Sequence, residues 1–297
     1  MLGTIIGDMV GSRFEFNNVR KKDIPIYAEG STPTDDTMMT VAVARAIMET
    51  EKEFELFNRG KKLNDKFYKK LSENTVKNMA ELGKQFPYCG FGTMFRKWIF
   101  DKEHKPYESW GNGAAMRIGP AGHIARNEEE VKRLSRAITS VSHEHPEAYK
   151  GAECTAMCIF WLRQGKTKKE VLELVKRNYY SEIIPVEKIR ASVGFDASCQ
   201  YCVPQAISCF MEGLDFEDTI RTAISSGGDS DTVAAIAGSI AQAYYKIDEN
   251  LKENSGDKVY DFYKLLKSEK ETGETEDKAM NFFEDVIAPS FWNFFCE

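Results

Sequence analysis

The chain has 297 residues, of which 42% are hydrophobic and 29% are charged, as is typical of a soluble globular protein with a sizeable core. Its 40 basic and 46 acidic residues give a formal net charge of −6. This balance argues against broad nucleic-acid binding, which needs a basic face to meet phosphates. No stretch approaches the roughly 20 apolar residues of a membrane helix, so we expect no membrane association.

Seven cysteines are scattered along the chain. An odd number of cysteines without a recognisable signal peptide favours reduced thiols and a cytoplasmic location. Cys199 and Cys202 form one C-x-x-C pair. Because no second pair completes a zinc site, we interpret them as buried thiols.

Hydrophobic residues recur with helical periodicity along most of the chain. The pattern predicts an N-terminal core helix over 1–10 and further helices over 37–50, 64–85, 128–141, 149–164, 168–179, 198–213, 215–225 and 232–245. Few segments alternate with period two, so we expect an all-α fold. No linker divides the chain, so we expect a single domain over 1–297. The polar run 267–278 is expected to be a mobile surface loop, and the aromatic residues of 282–295 are expected to dock on the core.

Two of the predicted helices begin with the same kind of acidic sequence. Thr34-Asp35-Asp36-Thr37 leads into one apolar helix, and Gly227-Gly228-Asp229-Ser230-Asp231-Thr232 leads into another. One interpretation is helix capping, because Asp, Ser and Thr side chains satisfy free N–H groups. Capping does not require two carboxylates close together, and these repel each other. Mg²⁺, Mn²⁺ or Ca²⁺ would relieve the repulsion. The pattern alone leaves both interpretations open.

A glycine-rich segment, Ser109-Trp110-Gly111-Asn112-Gly113-Ala114-Ala115-Met116-Arg117, is the third candidate site. Its glycines can expose backbone N–H groups to an anion, and Trp110 could stack on a base. The alternative is a plain turn, since the spacing of a P-loop or a dinucleotide-binding motif is missing. His143 and Glu15 are further candidates. For these two, a structural histidine and a solvated glutamate are the alternative interpretations.

Together these segments resemble the ADP-ribosylhydrolase family. This family includes dinitrogenase reductase-activating glycohydrolase and the vertebrate ADP-ribosylarginine and ADP-ribosylserine hydrolases. The resemblance covers nearly the whole chain in family order, through the segments 7–15, 34–37, 111–117, 142–143, 194–207 and 227–232. It implies a single orthogonal helical domain with a central dinuclear site that holds two Mg²⁺ or Mn²⁺ ions.

The resemblance also implies roles for individual residues. The positions that match the family's metal ligands are Thr34, Asp35, Asp36, Asp229, Asp231 and Thr232. Catalytic roles fall to Glu15, Asp35 and Asp36. Substrate binding falls to Ser109, Trp110, Gly111, Asn112, Gly113, Met116 and His143. The implied substrate is an ADP-ribosyl group joined through C1″ of its distal ribose, whose cleavage passes through an oxocarbenium-like state. The loop around Asn112 would cradle the diphosphate, and Trp110 would lie against the adenine or its ribose.

One position bears on the leaving group. Arginine-type members of the family carry an aspartate where Ser109 stands, whereas the serine-type members pair a serine with an aromatic residue, as Ser109 and Trp110 do. The sequence therefore favours an O-linked or free ADP-ribose derivative, borne by a protein or small molecule, with ADP-ribose as the product. Nucleic acid is expected only as a modified substrate. The alternatives are an ADP-ribosylarginine hydrolase, a non-catalytic ADP-ribose-binding relative and a phosphohydrolase that uses the same two metals.

Overall fold

The computed structural model describes residues 1–56, 60–192 and 194–251. The helices within these ranges are α1 (Leu2–Gly11), α2 (Asp35–Phe54), α3 (Asp65–Gln85), α4 (Thr93–Phe100), α5 (Gly113–Met116), α6 (Gly119–Ile124), α7 (Glu128–Thr139), α8 (Pro146–Arg163), α9 (Lys168–Asn178), α10 (Val186–Ser192), α11 (Cys199–Glu212), α12 (Phe216–Ser226) and α13 (Ser230–Gln242). A 3₁₀ turn, Ser12–Phe14, follows α1. In these ranges β structure is limited to two isolated bridges. The all-α prediction is confirmed.

All nine helices expected from periodicity are present, with ends displaced by no more than four residues. The four additional helices, α4, α5, α6 and α10, have eight residues or fewer, which is too short for a clear periodic pattern. The segments 267–278 and 282–295 lie outside the described residues. The single domain over 1–297 stays a prediction.

Helix α13 lies at the centre of the fold. Every residue from Ser230 to Ala241 is buried, and the helix contacts α1, α8, α11 and α12. Its sequence is apolar on all sides and rich in alanine, which suits a helix surrounded by others. The acidic start of α13 is therefore held inside the core.

Three glycines set how closely α1 approaches α13. Gly3, Gly7 and Gly11 recur every four residues and so lie on one face of α1. A Cβ added at Gly7 would overlap the carbonyl oxygen of Ala234, and one at Gly11 would lie 2.5 Å from the Cα of Asp231. The close contact brings the C-terminal end of α1 to the start of α13.

None of the described helices is both long enough and apolar enough to cross a membrane. The two longest, α2 and α3, have 20 and 21 residues and carry several charged side chains each. Such side chains cost roughly 2.5–3.5 kcal/mol each at the centre of a membrane helix.

We predict that Gly7→Ala destabilises the protein by about 2 kcal/mol or more, because the new methyl group must push α1 away from α13. We expect this loss even though alanine is roughly 1 kcal/mol more favourable than glycine within a helix. Equilibrium urea unfolding measures the change. Gly194→Ala is the control, since an added Cβ there meets no atom of the described residues within 4 Å. Equal stability of the two variants would contradict this account of the contact.

Candidate active site

The starts of α2 and α13 converge at the C-terminal end of α1. One carboxylate oxygen each from Asp8, Asp36 and Asp231 lie within 4.8 Å of one another. The Thr232 hydroxyl donates a hydrogen bond to Asp36 Oδ2 at 3.2 Å, which links the two helix starts directly. The structure thus brings together two acidic sequences that are almost 200 residues apart in the chain.

A second group of carboxylates adjoins the first. Oxygens of Glu15, Asp229 and Asp231 also lie within 4.8 Å of one another, so Asp231 belongs to both groups. Glu15 comes directly after the 3₁₀ turn at the end of α1 and is half-buried. Each of the two groups could hold a metal ion, and Asp231 is common to both.

Neither N-cap residue caps its helix with its own side chain. Thr34, the N-cap of α2, makes no side-chain capping bond. Instead, Asp8 Oδ2 accepts hydrogen bonds from the backbone N–H groups of Thr34 at 2.8 Å and Thr37 at 3.0 Å. Asp229, the N-cap of α13, likewise makes no side-chain capping bond. Asp231 Oδ1 does accept a hydrogen bond from the next backbone N–H at 2.9 Å, so capping accounts for one acidic residue but not for the pair at either start.

The carboxyl groups of this centre have pKa values above their ordinary range, and burial is the largest cause in each case. The six groups are Asp8, Glu15, Asp35, Asp36, Asp229 and Asp231. For Glu15, burial followed by the charges of Asp229 and Asp8 raises the pKa to about 7. Among the described residues, none of the six forms a salt bridge. The described residues therefore supply no ion-pair partner for these six carboxyl groups.

The donor set fits a hard divalent cation. Asp36 Oδ1 is buried and has no hydrogen-bond partner among the described residues. Leaving such an oxygen unsatisfied costs about 1–3 kcal/mol, and more when it is charged. A cation would satisfy this oxygen and offset the repulsion between neighbouring carboxylates. Oxygen ligands alone suit Mg²⁺ or Mn²⁺ better than zinc.

Three predicted ligands lie at the edge of the two groups. Thr34 Oγ1 donates to Asp8 Oδ1 at 2.7 Å and lies 3.5 Å from Asp36 Oδ2. Asp35 is half-buried and belongs to neither group of close oxygens. Thr232, already described, bonds to Asp36. Metal binding by these three residues stays a prediction.

Asp8 also belongs to this centre, although no role was predicted for it from the sequence. It is fully buried, and it accepts hydrogen bonds from the backbone and the hydroxyl of both Thr34 and Thr37. The available signal was an acidic residue within the apolar sequence of α1, LGTIIGDMVG. A buried carboxylate in such a helix needs partners, but the sequence does not show that these come from the start of α2.

The turn into α13 depends on two glycines and an asparagine. Gly227 and Gly228 have φ angles of 79° and 80°, which L side chains rarely adopt. Asn18 holds this turn: its Nδ2 donates to the Gly228 carbonyl at 2.9 Å, and its Oδ1 accepts from the Gly228 N–H at 2.8 Å. The sequence predicted the tight turn but not the contribution of Asn18.

The glycine-rich segment reaches the acidic centre through Asn112. This side chain is buried, and its Nδ2 donates to Asp229 Oδ2 at 2.7 Å and to Cys202 Sγ at 3.2 Å. Its backbone N–H donates to the Ala197 carbonyl. Asn112 therefore orients a predicted metal ligand rather than facing open space. Burial raises the pKa of Cys202, which with Cys199 is a buried free thiol.

The other predicted substrate residues surround this segment. The Ser109 hydroxyl accepts a hydrogen bond from the Gly111 N–H at 3.1 Å. Trp110 is 51% exposed and meets the His145 ring edge-on at 5.4 Å. His143 is buried, and its Nε2 would lie 3.3 Å from a Cβ placed on Gly113. Separately, Met116 packs into the core below the segment and is only 3% exposed.

Comparisons with known proteins agree on one family. The model of the ADP-ribosylglycohydrolase family matches residues 1–278. ADP-ribosylhydrolase ARH3 of Mus musculus is 23% identical over 325 aligned positions, which cover 84% of this chain and 83% of the relative. The Homo sapiens ARH3 is also 23% identical, with 84% and 85% covered. An uncharacterized protein of Archaeoglobus fulgidus is 27% identical, with 82% and 85% covered.

The fold is also shared with a solved structure, an ADP-ribosylglycohydrolase-related protein complex. It superposes with a TM-score of 0.55 at 20% identity, covering 89% of this chain and 95% of that chain. At this identity the likeness shows the fold alone, whereas the family model spans most of the sequence. This chain therefore belongs to the ADP-ribosylglycohydrolase family, which indicates an enzyme that hydrolyses ADP-ribosyl glycosidic bonds.

Proposed function

We propose that the protein cleaves the C1″ glycosidic bond of an O-linked or free ADP-ribose derivative, with two Mg²⁺ or Mn²⁺ ions as cofactors. The observation that carries the proposal is the pair of carboxylate groups that share Asp231. The hydrogen bond from Asn112 to Asp229 joins this centre to the glycine-rich segment. Relatives named as ADP-ribosylhydrolases support the same class of substrate.

The residues that would hold the two ions lie on the three converging helices and the turn that follows α1. The carboxylates in the two close groups are Asp8, Glu15, Asp36, Asp229 and Asp231. Thr34, Asp35 and Thr232 complete the set expected from the family resemblance. When bound, the ions supply Lewis-acid polarisation and lower the pKa of a water.

Glu15 is the group we assign to proton transfer. It is half-buried at the edge of the acidic centre, and its pKa is raised to about 7. This pKa is that of the ion-free protein, and bound cations would lower it. The carboxylate of Glu15 could then take a proton from an attacking water and return one to a leaving oxygen. Asp35 and Asp36 are the alternative bases, and both have pKa values raised mainly by burial.

The serine at position 109 favours a substrate in which ADP-ribose is linked through an oxygen atom. Its side chain is an uncharged hydroxyl that already accepts a hydrogen bond from Gly111. It brings no carboxylate to meet a guanidinium group, which arginine-linked ADP-ribose would present. We assign the exposed Trp110 ring to the adenine or its ribose. We assign His143 and the segment around Gly113 to the diphosphate.

We propose that the enzyme acts in the cytoplasm on a modified protein or small molecule and releases ADP-ribose. The described cysteines are free thiols, as expected in a reducing compartment. The net charge of −6 gives no general attraction for nucleic acid, which we expect only as a modified substrate.

The raised pKa values predict how pH affects the ion-free protein. Folded carboxyl groups with raised pKa values bind more protons than unfolded ones, so the free energy of unfolding falls as pH rises above about 4. We expect the melting temperature to drop by about 5 °C or more between about pH 5.5 and 8. Mg²⁺ or Mn²⁺ at about 100 times its Kd should add about 2.7 kcal/mol and reverse this loss.

Asp36→Asn tests the cause of this pH dependence. Removing one buried charge should make the ion-free variant more stable than the ion-free parent at about pH 8 and should reduce the gain from Mg²⁺. Thermal unfolding with NaCl at matched ionic strength controls for screening. The account is contradicted if NaCl stabilises the parent as much as Mg²⁺ does, or if Asp36→Asn keeps the full gain.

A substrate panel tests the reaction. With Mg²⁺ or Mn²⁺, ADP-ribose should be released faster from ADP-ribosylserine or O-acetyl-ADP-ribose than from ADP-ribosylarginine. Asp231→Asn should lower the rate by more than about 100-fold, since it removes the carboxylate common to both groups. Asp65→Asn is the control, because this side chain is 94% exposed on α3.

Each other outcome of the panel selects a different function. Release of AMP would indicate a phosphohydrolase, and preference for the arginine-linked substrate would indicate an N-glycosidic hydrolase. Binding of ADP-ribose without turnover of any substrate, including poly(ADP-ribose) and ADP-ribosylated nucleic acid, would indicate a non-catalytic relative. Any of these results would replace the proposed reaction.

A further inference from the structure

Arg117 is a buried cation that the proposed reaction does not use. It follows α5 directly and is fully buried, and burial lowers its pKa to about 10. Its guanidinium carbon lies 5.6 Å from the centre of the Phe95 ring. Nη2 donates to the Ser142 hydroxyl at 2.7 Å, whereas Nε and Nη1 have no hydrogen-bond partner among the described residues. Among the described residues, Ser142 is therefore the one hydrogen-bond partner of the Arg117 side chain.

The Ser142 hydroxyl links Arg117 to His143. Its Oγ lies 2.8 Å from His143 Nδ1, and the serine is fully buried. A guanidinium group can only donate, so Ser142 Oγ must accept from Arg117. Within the described ranges His143 Nδ1 is the remaining partner of the hydroxyl, and a buried hydroxyl hydrogen without an acceptor is costly. The hydroxyl therefore donates to Nδ1, which must carry a lone pair.

The ring of His143 is neutral and firmly held. Burial, followed by the charge of Arg117, lowers the pKa of His143 well below its usual range. The backbone N–H of Tyr107 donates to the Ser142 carbonyl at 2.9 Å, and the Tyr107 ring lies 5.5 Å from the imidazole. A neutral imidazole with a lone pair on Nδ1 carries its hydrogen on Nε2.

His143 Nε2 points towards the glycine-rich segment. Cβ atoms placed on Gly113 and Gly111 would lie 3.3 Å and 3.6 Å from it. Nε2 makes no hydrogen bond with any residue that the structure describes. A ring with this tautomer presents a donor, whereas the opposite tautomer would present a lone pair that repels an anionic oxygen.

We propose that Arg117, acting through Ser142, is a positioning residue that fixes His143 with its hydrogen on Nε2, so that the ring donates to an anionic oxygen of the ligand. The relay runs from the Arg117 donor to the Ser142 oxygen, and from the Ser142 hydroxyl to Nδ1. The identity of the ligand oxygen as a phosphate oxygen of ADP-ribose rests on the proposed function. The tautomer itself does not.

Nuclear magnetic resonance of ¹⁵N-histidine-labelled protein tests the tautomer. The chain has four histidines, so the His143 signals can be identified by their loss in His143→Gln. At neutral pH we expect Nε2 protonated and Nδ1 unprotonated in the parent, with a substantial population of the opposite tautomer in Ser142→Ala. Nδ1 protonation in the parent, or an unchanged tautomer in Ser142→Ala, would overturn the proposal.

Kinetics and rescue separate positioning from general damage. Ser142→Ala should raise KM for the ADP-ribosyl substrate about tenfold, the scale of one hydrogen bond to a charged group, while kcat changes less than about twofold. Ser142→Thr keeps the hydroxyl and should restore both the tautomer and KM. Arg117→Lys, which retains a donor, should lie between the parent and Ser142→Ala. An unchanged KM in a Ser142→Ala variant with an altered tautomer would refute the contact with the ligand.

The two proposals can fail separately. If the parent enzyme releases no ADP-ribose from any substrate, the proposed reaction fails, while the spectra still decide the tautomer. Binding of ADP-ribose to the parent and to Ser142→Ala then replaces KM as the second measurement, with the same tenfold difference expected.

Discussion

Six carboxyl groups share one largely buried centre, and like charges at such separations repel strongly where water is scarce. Burial raises all six pKa values, and the buried Oδ1 of Asp36 has no partner among the described residues. The ends of α1, α2 and α13 can therefore meet only if protons or cations accompany them. This requirement connects the stability of the fold to its chemistry, because the ions that relieve the repulsion are the ones that glycoside cleavage would use.

Contacts between the surrounding helices hold the carboxylates of this centre together. The glycine face of α1 allows contact with α13, and that contact brings Asp8 beside Asp231. Asp8 caps α2 and at the same time contributes to the acidic group, so movement of α2 would alter the site. On the far side, Asn112 holds Asp229 while its own segment lies against His143. The acidic centre and the glycine-rich segment are thus joined by the hydrogen bond from Asn112 to Asp229.

The sequence predicted the long helices, the all-α class and the acidic helix starts, because these depend on periodicity and on residues close together in the chain. It could not decide between caps and ligands at those starts, since the cap of α2 comes from Asp8, which lies on another helix. Arg117 and Ser142 are 25 residues apart in the chain, so their contact could not be predicted from the sequence either. Asn112 was predicted near the diphosphate, yet its side chain bonds to Asp229. Each of these hydrogen bonds forms where separate elements pack together. Such contacts cannot be predicted from the pattern of residues within one segment.

Anomalous diffraction from crystals grown with Mn²⁺ would show directly whether the acidic centre binds two ions. We expect two anomalous peaks in one centre, one beside Asp36 and one beside Glu15 and Asp229, with Asp231 between them. Asp231→Asn should weaken or remove both peaks, since its carboxylate is common to both groups. A fully occupied crystal with no peak at these carboxylates, or with peaks only elsewhere on the protein, would contradict the account.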